Sequence, residues 1–253
     1  MFATLLVGIM CAMQQEAESI LCRIGDKEVV QVGARQFIKG TFDEVPVVLS
    51  IAGVGKVSAA VTATLLKTQF GVDEIIFTGV AGGGKNTSIG DIVVGSSYLQ
   101  YDLDPRPHFP QFHILSLNTQ LIHANADLVL KMTAAANRYF EEGISFPWLN
   151  ITEPKVHTGT IVSGDQFIGD SISHEKIAHS TKKLLPNGFL AIEMEGAAVA
   201  QVCEELGVPF IVVRAISDKA DHLAAVNFQT FIDQVARGYS IGVLVEYLKN
   251  RAE

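Results

Sequence analysis

Four clusters of residues in this sequence carry groups able to do bond chemistry. In Ala191-Ile192-Glu193-Met194-Glu195-Gly196, two carboxylates stand two positions apart at the end of an apolar run. On a strand, residues so spaced share a face, and two carboxylates are costly to bury side by side unless each finds a partner. The pair reads either as a solvated strand end or as a carboxylate that grips ligand hydroxyls. In Val212-Val213-Arg214-Ala215-Ile216-Ser217-Asp218, an apolar run delivers Arg214 in its interior and Ser217-Asp218 at its end. An acid so placed suits proton transfer. Arg214 is expected to be a buried ion-pair partner, for Glu193 or Glu195, rather than a catalyst.

The third cluster is Gly79-Val80-Ala81-Gly82-Gly83-Gly84, directly after a β-rich run. Glycines after a strand let backbone approach a ligand closely, or simply make a tight turn under a packed helix. The pattern is neither GxGxxG nor GxxxxGK[ST], which argues against dinucleotide and P-loop sites. A second such turn, Ala52-Gly53-Val54-Gly55-Lys56, also follows a strand-like run. The fourth cluster is Met13-Gln14-Gln15-Glu16. Standing alone, Glu16 would be read as an acid placed for the dipole of a helix start. The seven histidines show no HExxH or HxH spacing, so no metal site is expected. No GxSxG elbow is present, and no cysteine is placed as a nucleophile.

Such groups need strands that end where they sit. Candidate strands cover residues 4–10, 28–32, 45–52, 74–79, 91–97, 156–162, 189–194 and 209–216. Several are nearly continuous Val, Ile and Leu, as strands covered on both faces must be. Candidate helices cover 12–22, 56–69, 118–142, 174–184, 196–206 and 228–249, with Asn227 as N-cap of the last and Gly207 ending the one before. The alternation predicts an α/β layered fold around a mostly parallel sheet. Residues 101–117 hold Pro105, Pro107 and Pro110 and no period. That stretch is expected to be a long irregular loop with a functional or interfacial role. No internal repeat or linker divides the chain, so residues 1–253 are expected to form a single domain.

Composition bounds the rest. With 19 basic against 27 acidic residues the net charge is −8, which argues against nucleic acid as a partner. Apolar residues make up 48%, enough to bury a real core. Cys11, Cys22 and Cys203 are odd in number with no CxxC spacing, which suggests reduced thiols in the cytoplasm. Residues 2–13 are almost all apolar, but no Lys or Arg precedes them and the first basic residue is Arg23. A buried first strand is expected there, not a targeting segment. No apolar stretch reaches 18 residues, so no membrane span is expected. The sequons Asn86-Thr87-Ser88 and Asn150-Ile151-Thr152 carry no meaning in a cytoplasmic protein.

Taken together and in this order, the clusters resemble the 5′-methylthioadenosine/S-adenosylhomocysteine nucleosidases of the nucleoside phosphorylase/hydrolase superfamily. The resemblance spans about residues 5–247. It is carried by residues 7–16, Gly53-Val54-Gly55-Lys56-Val57, Thr78-Gly79-Val80-Ala81-Gly82-Gly83, Gly90-Asp91-Ile92-Val93-Val94, Val162-Ser163-Gly164-Asp165-Gln166-Phe167-Ile168, Glu193-Met194-Glu195 and residues 212–218. It implies a three-layer α/β/α sandwich with a mixed, mostly parallel central sheet. It also implies hydrolysis of the N-glycosidic bond of 5′-substituted adenosines without metal or organic cofactor. By resemblance, Asp218 protonates adenine N7 and Glu16 orients the attacking water. Met194 and Glu195 bind ribose, with Glu193 and Ser217 beside them. Phe167 stacks on the base, Ile168 reads its edge through the backbone, and Val80, Ala81 and Gly82 form the glycine turn. Met13, Val54 and Phe228 make apolar wall.

Departures are Val80 where some members carry Ser, Gln14-Gln15 in place of two acids, and Gly196 after the Glu-Met-Glu. The stretch 102–109 departs most, which leaves preference among 5′ substituents open. A related nucleoside phosphorylase, an aminofutalosine-type hydrolase and a non-catalytic nucleoside binder are the alternatives. Phosphorylase relatives hold phosphate with an Arg just before the glycine turn. Here Phe77-Thr78-Gly79 occupies that stretch, and no Arg or Lys lies between Thr68 and Gly84. Water is therefore the expected nucleophile. A homodimer is expected, with loop 101–112 of one subunit closing its partner's site. Leu103, Phe109 and Phe112 are the apolar groups that the loop would present outward.

Overall fold

Strand β1 (Val7–Cys11) is wholly buried, and its alternation explains the layering. Val7, Ile9 and Cys11 face one apolar core, while Met10 faces a second. The computed structural model describes residues 5–149 and 151–249. The start of the apolar run, with Thr4 of the expected first strand, and Asn150 of the second sequon lie outside the described residues.

From β1 the chain runs through α1 (Gln14–Arg23), β2 (Gly25–Val32), β3 (Arg35–Phe42), β4 (Val45–Ile51), α2 (Lys56–Phe70) and β5 (Glu74–Gly83). It continues with β6 (Ile92–Gln100), β7 (Ile122–His123), α3 (Ala126–Glu141), β8 (Val156–Ser163), α4 (Ser171–Thr181) and β9 (Ala191–Glu193). The last elements are α5 (Gly196–Leu206), β10 (Phe210–Asp218), α6 (Ala224–Phe231) and α7 (Arg237–Leu248). The sheet order is β10-β6-β8-β9-β5-β1-β4-β3-β2. An extra β10–β5 pairing closes β5, β10, β6, β8 and β9 into a ring. Parallel pairing joins β4, β1, β5 and β10, and again β6, β8 and β9. Antiparallel pairing joins β10 to β6, β5 to β9, and the β2–β3–β4 meander. Helices α1, α3 and α7 cover the Val7 face, and α2 and α5 cover the Met10 face. The result is the three-layer α/β/α sandwich with a mixed sheet.

Several element boundaries differ from expectation. The expected helix over 118–142 begins only at Ala126, capped by Asn125, whose side chain accepts from the N–H groups of Asp127 and Leu128. Residues 118–125 instead hold a turn and β7, because the residues that continue a helical period there also suit a short edge strand. Strand β3 falls outside the expected strands because Arg35, Gln36, Lys39 and Thr41 dilute its apolar residues. Asn227 is not a cap. The helix starts at Ala224, so Asn227 lies within α6, and a π turn (Ile232–Ala236) links α6 to α7. Gly207 does end α5, in the left-handed conformation at φ 63°. Among the described residues, no helix is long and apolar enough to cross a membrane.

Candidate active site

All the candidate site residues gather at the C-terminal ends of the strands, where α/β folds bind ligands. They line one cavity of about 390 Å³. The turn after β1 supplies Met13 and Glu16, and the turn after β4 supplies Val54. Strand β5 gives Val80, Ala81 and Gly82, and the segment after β8 gives Phe167 and Ile168. Glu193, Met194 and Glu195 come from the end of β9, Ser217 and Asp218 from the end of β10, and Phe228 from α6. Ala12, Gln166 and Ile192 also line the cavity. Sequence reasoning did not single them out, although each directly precedes a residue that it did.

Glu16 fills a gap in the sheet. Pairing of β1 with β5 stops at Phe77, and β9 takes up β5 again only at Gly82. Between them, Glu16 Oε1 accepts the N–H of Val80 at 3.1 Å. Its Oε2 accepts from Ala12 and Met13, both at 2.9 Å. A side-chain carboxylate thus replaces a strand's acceptor and also closes the start of α1. Burial pushes the Glu16 carboxyl up from its ordinary value, and Arg214 and the three N–H groups oppose that.

Arg214 lies at the centre of the acids. Its Nη2 meets Glu193 Oε2 at 2.7 Å and Glu195 Oε2 at 3.9 Å. Its guanidinium also lies over the ring of Phe77. The ion pair expected for Arg214 therefore forms with both acids of the Glu-Met-Glu motif. Among the described residues, its buried Nη1 has no hydrogen-bond partner. The oxygens of Glu193 are occupied: they accept from Ser163 Oγ, from the N–H groups of Glu195 and Gly196, and from Arg214. Glu193 borders the cavity as a buttress that holds Arg214 and the turn. Glu195 is freer, since its Oε1 accepts from Gly55 N at 2.7 Å and its Oε2 faces Arg214. Burial, then the charge of Glu193, push the Glu195 carboxyl up to about 7.

Asp218 is 2% exposed. Its Oδ1 accepts from Ala220 N and its Oδ2 lies 2.8 Å from Ser217 Oγ. Ser217 Oγ also lies 3.2 Å from Ala81 O. The hydroxyl can donate to the carboxylate, or accept from the carboxylic acid and donate to Ala81 O. Both protonation states of Asp218 are therefore satisfied. Burial pushes the Asp218 carboxyl up, against the hydrogen bonds of Ala220 and Ser217. Phe167 and Phe228, which also line the cavity, meet edge to face at 5.7 Å. Among the described residues, no group of three or more His, Cys, Asp or Glu is arranged to hold a metal ion.

The base of loop 101–112 is tied to the cavity rim. Asp102 pairs with Lys56 Nζ at 2.6 Å and accepts from Asp165 N at 2.9 Å, and Tyr101 OH donates to Gln166 O. The outward display expected of three apolar residues is corrected. Phe112 is 3% exposed and Leu103 packs against its own core, which leaves Phe109, 43% exposed, facing out.

The profile of the phosphorylase superfamily matches residues 6–249. The 5′-methylthioadenosine/S-adenosylhomocysteine nucleosidase of Mycobacterium bovis is 33% identical over 91% of this chain and 92% of that protein. The same enzyme from Neisseria meningitidis, solved with methylthio-immucillin-A, superposes with a TM-score of 0.84 at 30% identity, covering 97% of this chain and 99% of that one. A futalosine hydrolase of Helicobacter pylori superposes with a TM-score of 0.81 at 30% identity, covering 98% of each chain.

Proposed function

From the premise that this chain belongs to the phosphorylase superfamily, and within it to the 5′-methylthioadenosine/S-adenosylhomocysteine nucleosidases, we propose how its cavity works. The enzyme is an N-glycosyl hydrolase that releases adenine and a 5′-thio-ribose from methylthioadenosine, S-adenosylhomocysteine and related 5′-substituted adenosines. As the C1′–N9 bond breaks, its electron pair goes to the base and positive charge develops on the ribose. Asp218, as the neutral acid, donates its proton to adenine N7. Glu16 takes a proton from the water that attacks C1′. The two carboxyls exchange their net proton with solvent after release. Glu195 accepts from the ribose hydroxyls, with Met194 against the sugar. Phe167 stacks on the base, and Met13, Val54 and Phe228 surround the 5′ group.

The observation that carries this reading is that Asp218 and Glu16, two of the buried carboxyls bordering one cavity, are both raised by burial and held by different backbone groups. The decisive experiment measures adenine release from methylthioadenosine, S-adenosylhomocysteine, 5′-deoxyadenosine and an aminofutalosine-type nucleoside. The last belongs in the panel because a futalosine hydrolase shares the fold at 0.81. Failure to release adenine from any of them overturns the assignment.

The whole chain is taken as one nucleosidase domain, working in the cytoplasm as a homodimer. Free Cys11, Cys22 and Cys203 support a reducing compartment. Exposed Val57 (75%) and Val61 on α2, with Phe109 and Leu115 of the following loops, supply apolar surface for a second copy.

A further inference from the structure

Gly79 has no backbone reason to be glycine. Its φ is not among the positive values found at eight other glycines among the described residues, so any residue could adopt its conformation. The reason lies in the space beside it. A Cβ built at this position would stand 2.6 Å from Glu16 Oε1, 3.1 Å from Glu16 Cδ and 2.8 Å from Arg214 Nη1. Contacts under about 3 Å do not occur without something shifting.

Neither neighbour is free to shift. Glu16 is held by three backbone N–H groups. Arg214 is clamped by Glu193 and covered by Phe77. The strand itself cannot move away, because Gly79 is paired with Arg214 in the β5–β10 ladder. The cavity behind it, between Thr78, Val213, Tyr239 and Ser240, measures only about 10 Å³.

We propose that Gly79 is a positioning residue for hydrolysis. Its missing side chain is the space in which the Glu16 carboxylate and the Arg214 guanidinium converge. Any larger residue displaces the carboxylate from the backbone groups that aim it. This inference rests on the assignment of Glu16 to water activation. It concerns a residue that touches neither base nor sugar in that assignment.

The test uses the full-length protein with Gly79→Ala. A misplacement of about 1 Å costs about 100-fold in rate. The expected result is a fall of about that size in kcat for methylthioadenosine. KM and the Kd for adenine should stay within about threefold, because Asp218 and Phe167 lie away from the change. A merely structural role would weaken adenine binding together with kcat. In a Glu16→Asp background the carboxylate is one methylene shorter and withdraws from the added methyl. There, Gly79→Ala should cost less than about threefold. Should Gly79→Ala not fold, the Glu16→Asp, Gly79→Ala double variant should fold and bind adenine. Wild-type kcat in Gly79→Ala, or the same fold-loss in both backgrounds, or a double variant that also fails to fold, overturns the proposal. Activity in Glu16→Gln would instead overturn the assignment of Glu16 itself.

Discussion

The guanidinium carbon of Arg214 sits 4.0 Å from the centroid of the Phe77 ring. The ring covers one face of the cation, and Glu193 takes its Nη2 and Nε edge. A buried arginine whose charge is already answered by Glu193, Glu195 and Glu16 has little left to offer a phosphate. Adenine release should therefore proceed at the same rate in phosphate-free buffer and in millimolar phosphate, and should yield the free sugar. Formation of the 1-phosphate of the 5′-thio-ribose would show that phosphate is the nucleophile.

Asp218→Asn should preserve the fold and lower kcat by about 10²–10⁴-fold. The amide can still accept from Ala220 N, as the carboxylate does, but cannot give a proton to N7. Thermal melting and adenine release measured together check this. A variant with near wild-type turnover would remove Asp218 from the chemistry.

Glu16→Gln should also inactivate while adenine still binds. The amide oxygen can accept from Ala12 and Met13, but its NH2 then faces the N–H of Val80, donor against donor. An active variant would return Glu16 to the role of a helix-start acid.

That gap-filling contact shows what the sequence could convey. The motifs on β5, β9 and β10 were legible because each chemical group ends an apolar run. The α/β layering was legible because buried strands are continuous in Val and Ile. The ring closed by β10 and β5 was not, since nothing local in residues 210–218 distinguishes a strand with one neighbour from a strand with two. Nor could the sequence reveal that β1 and β9 leave one side of Val80 open while β10 pairs its other side at Ala215, which is what makes Glu16 more than a helix-start acid. Glu193 and Glu195 share a motif and the two-residue spacing. Their division into buttress and ligand group came only from tertiary partners such as Ser163 and Gly55.

Loop 101–112 should act across a two-fold interface through Phe109, whose ring stacks on His113 at 5.6 Å and faces out. Phe109→Asp should weaken the dimer in sedimentation and raise KM for methylthioadenosine by about tenfold, with adenine affinity unchanged. A specific interface should bury more than about 1,000 Å² in total. A wild-type protein that sediments as a monomer at assay concentration would end the shared-pocket reading.

Glu195 links pH to stability and to binding. Its carboxyl is pushed from 4.5 up to about 7 by burial and by Glu193. Between those values the folded protein holds a proton that the unfolded chain has lost. The contribution is therefore fully present below pH 4.5 and disappears as pH rises through 7, by about 3 kcal/mol at most. Glu195→Gln removes the titration and keeps an acceptor for Gly55 N. The melting temperature of the variant should thus gain on wild type between pH 5 and pH 8, with the other raised carboxyls cancelling in the comparison. A difference that does not change with pH would show that Glu195 is already ionised in the empty site. Ribose hydroxyls donating to Glu195 favour its charged form, so nucleoside binding near pH 7 should release protons to solvent. Titration calorimetry in buffers of different ionisation enthalpy reads that release directly, and no release from a protein whose stability does show the Glu195 titration would place the ribose hydroxyls elsewhere.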